Sequence, residues 1–99
     1  MVRHTKATLA FYDKQVLADG AIVEMVIWRL AQSLPGSSHR LKYRLFYGFP
    51  GKRLVGYDNE SGKGDHRHRQ VEEEDYDFST AEKLVADFLT DVRLLRGEA

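Results

Sequence analysis

The sequence predicts an α+β fold: an antiparallel sheet of four to five strands, with one carboxy-terminal helix packed on one face. Through the first two thirds of the chain, short runs of alternating apolar and polar residues are separated by glycine-containing turns, which is typical of antiparallel strands. Near the carboxy terminus, apolar residues recur instead at helical spacing. Because the turns are short, successive strands are expected to lie side by side in a meander. At 99 residues the chain is expected to be a single domain, residues 1–99.

The first two strands are predicted over Lys6–Val16 and Ala21–Leu30, joined by a turn at Asp19 and Gly20. In the first strand, the residues expected to share one face are Ala7, Leu9 and Phe11. The second strand is the most apolar run of the chain, and a buried helix is the competing assignment. Its β-branched residues and the preceding turn favour a strand. Both of its faces are expected to be partly covered, with Val23, Met25 and Ile27 on one and Ile22, Val26 and Trp28 on the other.

A connection containing Pro35 and Gly36 leads to a third strand, predicted over His39–Tyr47. Its apolar face is formed by Leu41, Tyr43, Leu45 and Tyr47. Its other face carries Arg40, Lys42, Arg44 and Phe46. This basic face is either a solvated outer surface, which antiparallel sheets usually have, or a shelf for phosphates. After a turn over Phe49–Lys52, a short fourth strand is predicted over Arg53–Asp58.

The polar stretch Gly62–Arg69 is predicted to be a loop that leads into a short fifth strand, followed by an acidic connection over Val71–Phe78. The helix is predicted to begin near Ser79 or Thr80, and Ser79 and Glu82 have the spacing of a capping box. Its apolar stripe is expected to face the sheet and to end at Gly97. The stripe is formed by Leu84, Val85, Phe88, Leu89, Val92 and Leu95.

Charge and composition exclude some classes of function. The formal net charge is zero, but residues 39–69 carry +5 and residues 70–99 carry −6. This distribution fits either anion binding on one face or mutual neutralisation of the two segments. No cysteine is present, which excludes disulfides and thiolate metal sites. No apolar run is long enough to span a membrane, and residues 1–4 are not followed by the apolar segment of a signal peptide. A cytoplasmic protein without a membrane partner is therefore expected.

Titratable side chains are concentrated in the stretch Gly62–Arg69, which contains no apolar residue. If this backbone is extended, the His-x-His spacing places His66 and His68 on the same face. The opposite face then carries Asp65, Arg67 and Arg69. No other segment of the chain brings so many acids, bases and cations together.

Metal-independent cleavage of RNA is the leading interpretation of this stretch. Histidine titrates near neutral pH, so His66 and His68 could supply the base that takes the 2′-hydroxyl proton and the acid that protonates the leaving oxygen. Positive charge for the phosphorane would come from Lys63, Arg67 and Arg69. Asp65 would orient a histidine, with Tyr57 and Asp58 in supporting positions. Further RNA contacts would come from Arg40, Lys42 and Arg44.

Two other interpretations of the stretch stay open. The two histidines could bind a metal together with Asp65 or Asp58, although the neighbouring arginines oppose a dication, and neither a metal nor another cofactor is expected. Alternatively, Lys63–Arg69 is an exposed polar loop whose charges pair with the acidic run Glu72–Asp75, as solvated surface charges commonly do.

Four stretches of the chain, in this order and at this spacing, resemble the TumE-type toxins of bacterial toxin–antitoxin modules: Gly20–Leu30, Pro35–Leu45, Tyr57–Asn59 and Gly62–His68. The resemblance extends from about Lys6 to Leu95. It implies a small cytoplasmic toxin whose partner is a cognate antitoxin, a DNA-binding repressor that also neutralises the toxin. Ribonuclease activity, with RNA as the substrate, is inferred from the histidine chemistry and from the class of small toxins. The alternative function is a non-catalytic inhibitor that binds a protein or a nucleotide.

Overall fold

The structure is a computed structural model that describes residues 6–98. Residues 1–4, on which the expected absence of a signal peptide depends, lie outside it. Six strands of the described chain form one antiparallel sheet in the order β1-β2-β3-β4-β5-β6, and one helix completes the fold. The elements are β1 (Ala7–Val16), β2 (Ile22–Leu30), β3 (Leu41–Phe49), β4 (Lys52–Glu60), β5 (Gly64–Arg69), β6 (Glu72–Asp75) and α1 (Ala81–Leu95). The predicted α+β class and meander order are confirmed.

The sheet has more strands than predicted, because the acidic run Glu72–Asp75 is an edge strand and not a connection. It pairs with β5, which contains most of the polar stretch Gly62–Arg69. This stretch was predicted to be a loop that leads into a strand. In this pairing Arg67 lies opposite Glu74, and Arg69 lies opposite Glu72. Opposite charges that face each other across two strands contribute roughly 0.2–1 kcal/mol per pair. These pairs offset the low strand propensity of glutamate.

The hydrophobic core lies between α1 and one face of the sheet. Two cross-strand rows point towards the helix, formed by Met25, Leu45 and Tyr57 and by Val23, Tyr47 and Val55. The helix contributes Leu84, Phe88 and Val92. The predicted apolar stripe therefore faces the sheet, except at Leu95, which is 38% exposed. The face of the sheet covered by α1 is called the helix-side face below, and the opposite face is called the open face.

The first strand contains a β-bulge that the alternation of its residues does not reveal. Leu9 is paired with Trp28 and Phe11 with Ile27, so Ala10 is an extra residue in the ladder. Since each face of a strand normally repeats every second residue, the bulge moves Leu9 and Phe11 to opposite faces. The prediction that they share a face is wrong for this reason.

The β3–β4 turn lies at the predicted position, Phe49–Lys52. Both strands extend further than predicted, so that only residues 50 and 51 lie between them. Gly48 makes this turn possible, because a Cβ at that position would collide with the carbonyl oxygen of Lys52. The ladder also shifts register between Tyr47 and Gly48, which marks a second irregularity in the sheet. The hairpin therefore holds Lys52 and Arg53 in defined positions at the start of β4.

The helix begins where predicted, but its N-cap is Thr80 and not Ser79. Thr80 has extended backbone angles, and its hydroxyl oxygen accepts a hydrogen bond of 3.1 Å from the Lys83 amide. Thr80 is therefore the N-cap, and the capping box predicted from Ser79 does not form. The predicted end of the helix is confirmed, because Gly97 has a φ of 76° and the amides that follow α1 bond back to carbonyls of its last turn. Within residues 6–98 no helix is both long and apolar enough to cross a membrane.

Candidate functional site

Strand β5 separates the residues of the polar stretch into two groups on opposite faces of the sheet, as the sequence predicts for an extended backbone. His66 lies opposite Asp58, and His68 lies opposite Gly56, whereas Arg67 lies opposite the core residue Tyr57. Because α1 covers the face that contains Tyr57, both histidines lie on the open face. Asp65, Arg67 and Arg69 share the helix-side face.

His66 is held by its own hairpin. Its Nε2 lies 2.7 Å from the carbonyl oxygen of Lys63, so this nitrogen carries the proton and donates it to the carbonyl. Its Nδ1 lies 3.6 Å from a carboxylate oxygen of Asp75 on β6. The hydrogen bond to Lys63 thus leaves Nδ1 as the ring nitrogen that is not engaged in a hydrogen bond.

His68 lies between carboxylates of the two neighbouring strands. Its Nε2 is 3.4 Å from Glu73 on β6 and 3.8 Å from Asp58 on β4. The His68 side chain is largely covered, with 14% of its surface exposed. Carboxylates of both neighbouring strands therefore face the His68 imidazole.

Asp65 does contact a histidine, but it is His39 rather than either histidine of the polar stretch. The Asp65 carboxylate accepts a hydrogen bond of 2.9 Å from His39 Nε2 and one of 2.6 Å from the Tyr43 hydroxyl. His39 Nδ1 accepts from the Leu41 amide at 3.1 Å, which assigns the neutral ring protonated at Nε2. Phe78 stacks on the His39 ring with centroids 3.9 Å apart. The sequence offered no signal for this cluster, since its members are joined only by tertiary contacts.

Burial raises the pKa of the Tyr43 hydroxyl well above its ordinary value of 10.0, and the hydrogen bond to Asp65 raises it further. The hydroxyl therefore stays protonated and continues to donate to the carboxylate at any ordinary pH. With both Asp65 oxygens engaged by His39 and Tyr43, this carboxylate joins the start of β3 to β5. Its position is on the helix-side face, away from the two histidines of β5.

Arg67 belongs to a second network beneath the helix. Tyr57 is completely buried and donates a hydrogen bond of 2.5 Å to Asp91 of α1. The Arg67 guanidinium lies 3.3 Å from the Tyr57 hydroxyl and 3.8 Å from Asp91. Glu74 accepts hydrogen bonds from both Arg67 and Arg69. Tyr57 therefore has no surface that a substrate could reach, and the two arginines are engaged by carboxylates of the same protein.

Asp91 was not selected from the sequence, although a signal for it exists. It lies three residues after Phe88 and directly before Val92, so it falls within the buried face of α1. A carboxylate at a buried helical position needs a partner, and here the Tyr57 hydroxyl and the two arginines supply it. Burial raises the pKa of Tyr57 far above 10.0, and its hydrogen bond to Asp91 adds to this increase.

The remaining predicted residues are divided between the open face and the turns. Lys42 lies opposite Trp28, and Arg44 lies opposite Asp58, so both cations share the open face with the two histidines. Lys63 lies in the β4–β5 turn, where its ammonium is 3.6 Å from Glu60. Arg40 is exposed in the connection just before β3. The structure therefore brings His66, His68, Asp58, Lys42 and Arg44 onto one face.

The open face also contains a basic depression that the sequence does not predict. It has a volume of about 400 Å³, and its charged and aromatic lining consists of Lys14, Glu24, Arg44, Phe46, Lys52 and Arg53. Lys52 and Arg53 were read from the sequence only as parts of a turn and a strand. Their position beside the basic face of β3 depends on the tight hairpin, which residue spacing alone does not reveal.

The metal interpretation with Asp65 requires residues that the fold separates. Asp65 and the two histidines lie on opposite faces of β5, because successive side chains of a strand alternate. Across the described residues, no group of three or more histidine, aspartate or glutamate side chains is arranged to hold a metal ion.

Comparison with known proteins identifies the class. A family model described as Toxin TumE matches residues 3–96, nearly the whole chain. The chain therefore belongs to the TumE toxin family, which makes it the toxin of a toxin–antitoxin system and suggests an antitoxin as its partner. The resemblance seen in the sequence is confirmed. No curated protein and no solved structure gives a significant match to the chain.

Proposed function

We propose that this toxin is a metal-independent endoribonuclease whose reaction takes place on the open face of the sheet. One observation carries the proposal: His66 and His68 lie on the face that also presents Lys42 and Arg44 and that α1 leaves uncovered. Residues two apart in a strand are about 7 Å from each other along the chain. This separation allows the two imidazoles to reach opposite sides of one phosphodiester.

The hydrogen bonds of the two rings favour different proton-transfer roles. His66 donates from Nε2 to the Lys63 carbonyl, so its Nδ1 has a lone pair and fits the general base. His68, whose Nε2 faces the carboxylates of Glu73 and Asp58, is assigned the general acid. In the reaction His66 takes the 2′-hydroxyl proton, the 2′ oxygen bonds to phosphorus, and the bond from phosphorus to the 5′ oxygen breaks. His68 protonates the departing 5′ oxygen, which leaves a 2′,3′-cyclic phosphate and a 5′-hydroxyl.

Other residues of the predicted site have one of two roles in the proposed reaction: they bind phosphate, or they hold β5 in place. Arg44 and Lys42 supply positive charge on the same face as the histidines, where they can bind the phosphates of the RNA. Asp65 and Arg67 act from the helix-side face by holding β5 against β3 and α1. The structure therefore supports a positioning role for these two residues.

A second candidate function is favoured by a separate observation. Both imidazoles lie beside carboxylates of the acidic edge strand, His66 next to Asp75 and His68 next to Glu73. In this alternative the two histidines are structural, because their contacts with the carboxylates stabilise the β5–β6 ladder. The toxin would then act by binding a protein or a nucleotide without cleaving RNA.

RNA cleavage by the purified toxin in the presence of a chelator distinguishes the two functions. We expect wild-type protein to cleave, and His66→Ala and His68→Ala each to lower the rate roughly 10²–10⁴-fold. Arg29→Ala, which removes an exposed cation outside the histidine site, is the matched control and should cleave as the wild type does. Undiminished cleavage by both histidine variants would overturn the mechanism. Growth arrest that persists in both variants, with no cleavage by any form, would support the non-catalytic function.

A further inference from the structure

We propose that the basic depression on the open face is a subsite for single-stranded RNA, in which one unpaired base stacks on Arg44 and Phe46 while Lys52 and Arg53 bind the adjoining phosphates. This inference rests on the proposed ribonuclease function, because it assigns the part of the substrate that lies beside the reacting bond. The ligand class it names is RNA with at least one unpaired nucleotide next to the cleavage site.

The sheet register places the depression in line with His68. In one cross-strand row, Lys14 lies opposite Glu24, Glu24 opposite Phe46, Phe46 opposite Gly56, and Gly56 opposite His68. Strands are spaced about 4.8 Å apart, so Phe46 and His68 are separated by about 10 Å across the sheet. The residue between them, Gly56, has no side chain, so the space above it is available to a side chain from another position.

Gly56 also provides the space for Arg53. A Cβ placed on Gly56 would lie 2.6 Å from the Arg53 Cδ atom, so the Arg53 side chain crosses the sheet directly over this glycine. In the register, Gly56 lies between Phe46 and His68. The positive charge of Arg53 is therefore brought to the path between the stacking pair and the proposed acid.

The cations of the depression differ from those on the helix-side face in being available to a ligand. Within residues 6–98, none of the four cations that line it is part of a salt bridge: Lys14, Arg44, Lys52 and Arg53. By contrast, Arg67, Arg69 and Arg96 each bind carboxylates of the protein. The single carboxylate of the lining, Glu24, accepts a hydrogen bond from Tyr12. The depression therefore has an excess of positive charge, which suits phosphate.

The stacking pair indicates single-stranded rather than double-stranded RNA. The Arg44 guanidinium lies 5.5 Å from the centroid of the Phe46 ring, and both groups are planar. Nucleobases stack on phenylalanine rings and on guanidinium planes, but only when the base is not already stacked within a duplex. A duplex would present its phosphates to the lysines and would gain nothing from Phe46.

Binding of a short RNA that carries 2′-O-methyl groups tests the subsite, because this RNA lacks the nucleophile and cannot be cleaved. Affinity is measured by fluorescence anisotropy over a range of salt concentrations. We expect Phe46→Leu and Arg53→Ala each to weaken binding about 5- to 150-fold, which corresponds to the measured value of one stacked base or one strong contact. Arg53→Ala should also reduce the slope of log affinity against log salt by about 0.7, as expected for the loss of one phosphate contact on a single strand.

Two further variants separate the position of Arg53 from its charge. Gly56→Ala leaves every charge in place but displaces the Arg53 side chain, and it should weaken binding as Arg53→Ala does. Arg29→Ala removes an equal charge outside the depression and should bind like the wild type. Equal affinity of wild type, Phe46→Leu and Arg53→Ala would overturn the subsite, as would equal affinity for the single strand and its duplex.

The failure of this inference can be told apart from the failure of the proposed function. Tight binding of the methylated strand that depends on Phe46 and Arg53, together with no cleavage of unmodified RNA, would support the subsite and refute the ribonuclease. Cleavage of RNA with unchanged binding by Phe46→Leu and Arg53→Ala would refute the subsite and leave the ribonuclease standing. Failure of the wild-type protein to bind the methylated strand would also overturn the subsite.

Discussion

Replacement of Tyr57 by phenylalanine tests whether the network beneath the helix is structural. Tyr57 is fully buried, and its hydroxyl donates a hydrogen bond of 2.5 Å to the carboxylate of Asp91, which is itself only 9% exposed. The phenylalanine variant keeps the ring and its edge-on contact with Phe88, so it removes little besides the hydroxyl. Its effect therefore measures the loss of this donor to a buried carboxylate.

The structure sets the size of the expected effect. A hydrogen bond to a charged group contributes about 1.5–3 kcal/mol, and the remaining partners of Asp91 are Arg67 at 3.8 Å and Arg69 at 3.9 Å, which are too distant to replace it. We therefore expect Tyr57→Phe to lower the free energy of unfolding by about 2 kcal/mol. For a chain of this length, that loss corresponds to a decrease in Tm of about 8–16 °C.

Urea unfolding followed by circular dichroism provides the measurement. With an m value of about 1–2 kcal/mol/M, the midpoint should fall by about 1–2 M without a change in slope. Tyr12→Phe is the matched control, because it removes an exposed hydroxyl that donates to Glu24, and it should change stability by less than about 0.5 kcal/mol. A double-mutant cycle with Asp91→Ala should show a coupling of about 1–3 kcal/mol between the two side chains.

The reasoning would be refuted if Tyr57→Phe were as stable as the wild type, or if the cycle showed no coupling. RNA binding supplies an independent check. Because Tyr57 lies on the helix-side face, its variant should bind the methylated RNA with unchanged affinity at a temperature where it is folded. If the Tyr57→Phe variant instead lost RNA binding while keeping full stability, Tyr57 would have the substrate-binding role that the sequence predicts.

Three further predictions concern the stability of the fold. Thr80→Ala should lower the free energy of unfolding by about 1 kcal/mol, because the Lys83 amide loses its N-cap acceptor, while Ser79→Ala should have little effect. Phe88→Ala should cost about 3–5 kcal/mol, because the ring is fully buried in the core, whereas Leu94→Ala on the exposed side of α1 should be nearly neutral. Stability should also decline above about pH 10. The tyrosines of the unfolded chain ionise there, whereas the raised pKa of the buried Tyr43 hydroxyl keeps it neutral in the folded state.

Each of these predictions has a result that contradicts it. Equal destabilisation by Thr80→Ala and Ser79→Ala in urea would refute the assignment of the N-cap. A loss below about 1.5 kcal/mol for Phe88→Ala would show that α1 is not packed on the sheet as described. For the alkaline transition, urea midpoints are compared with the ultraviolet absorbance of tyrosinate. A midpoint that stays constant while most tyrosines of the native protein ionise would contradict the burial of Tyr43.

Local patterns in the sequence were sufficient to predict much of the sheet. The alternation in β2 grouped Val23 with Met25 on one face, and that in β3 placed Tyr43 on the apolar face. The helical spacing located Leu84 and Phe88 on the stripe that faces the sheet. These predictions succeed because a strand repeats every two residues and a helix every 3.6, so the buried side of each element is visible in its own residues. The bulge at Ala10 was not predicted, because one inserted residue changes the register of the strand without changing its composition.

The sixth strand and the N-cap residue differ from their predictions for related reasons. The run Glu72–Asp75 has poor strand propensity, and it forms a strand because Arg67 and Arg69 lie opposite its carboxylates. Ser79 and Thr80 are both suitable N-caps, and the choice between them depends on where the chain leaves β6 to reach the sheet core. Neither preference can be read from the residues of the segment alone.

For the candidate site, the residues of β5 were sufficient to predict that its two histidines share one face and that Asp65, Arg67 and Arg69 share the other. That prediction needed only the geometry of an extended chain. Which face is covered, and therefore which group is available to a substrate, depends on where α1 packs, and α1 begins 12 residues after β5 ends (from 69 to 81). The partners of Asp65 and Arg67 are likewise His39 and Asp91, at sequence separations of 26 and 24 residues. Such contacts arise from packing between elements, so the tertiary structure decided the division of roles between the two faces of the sheet.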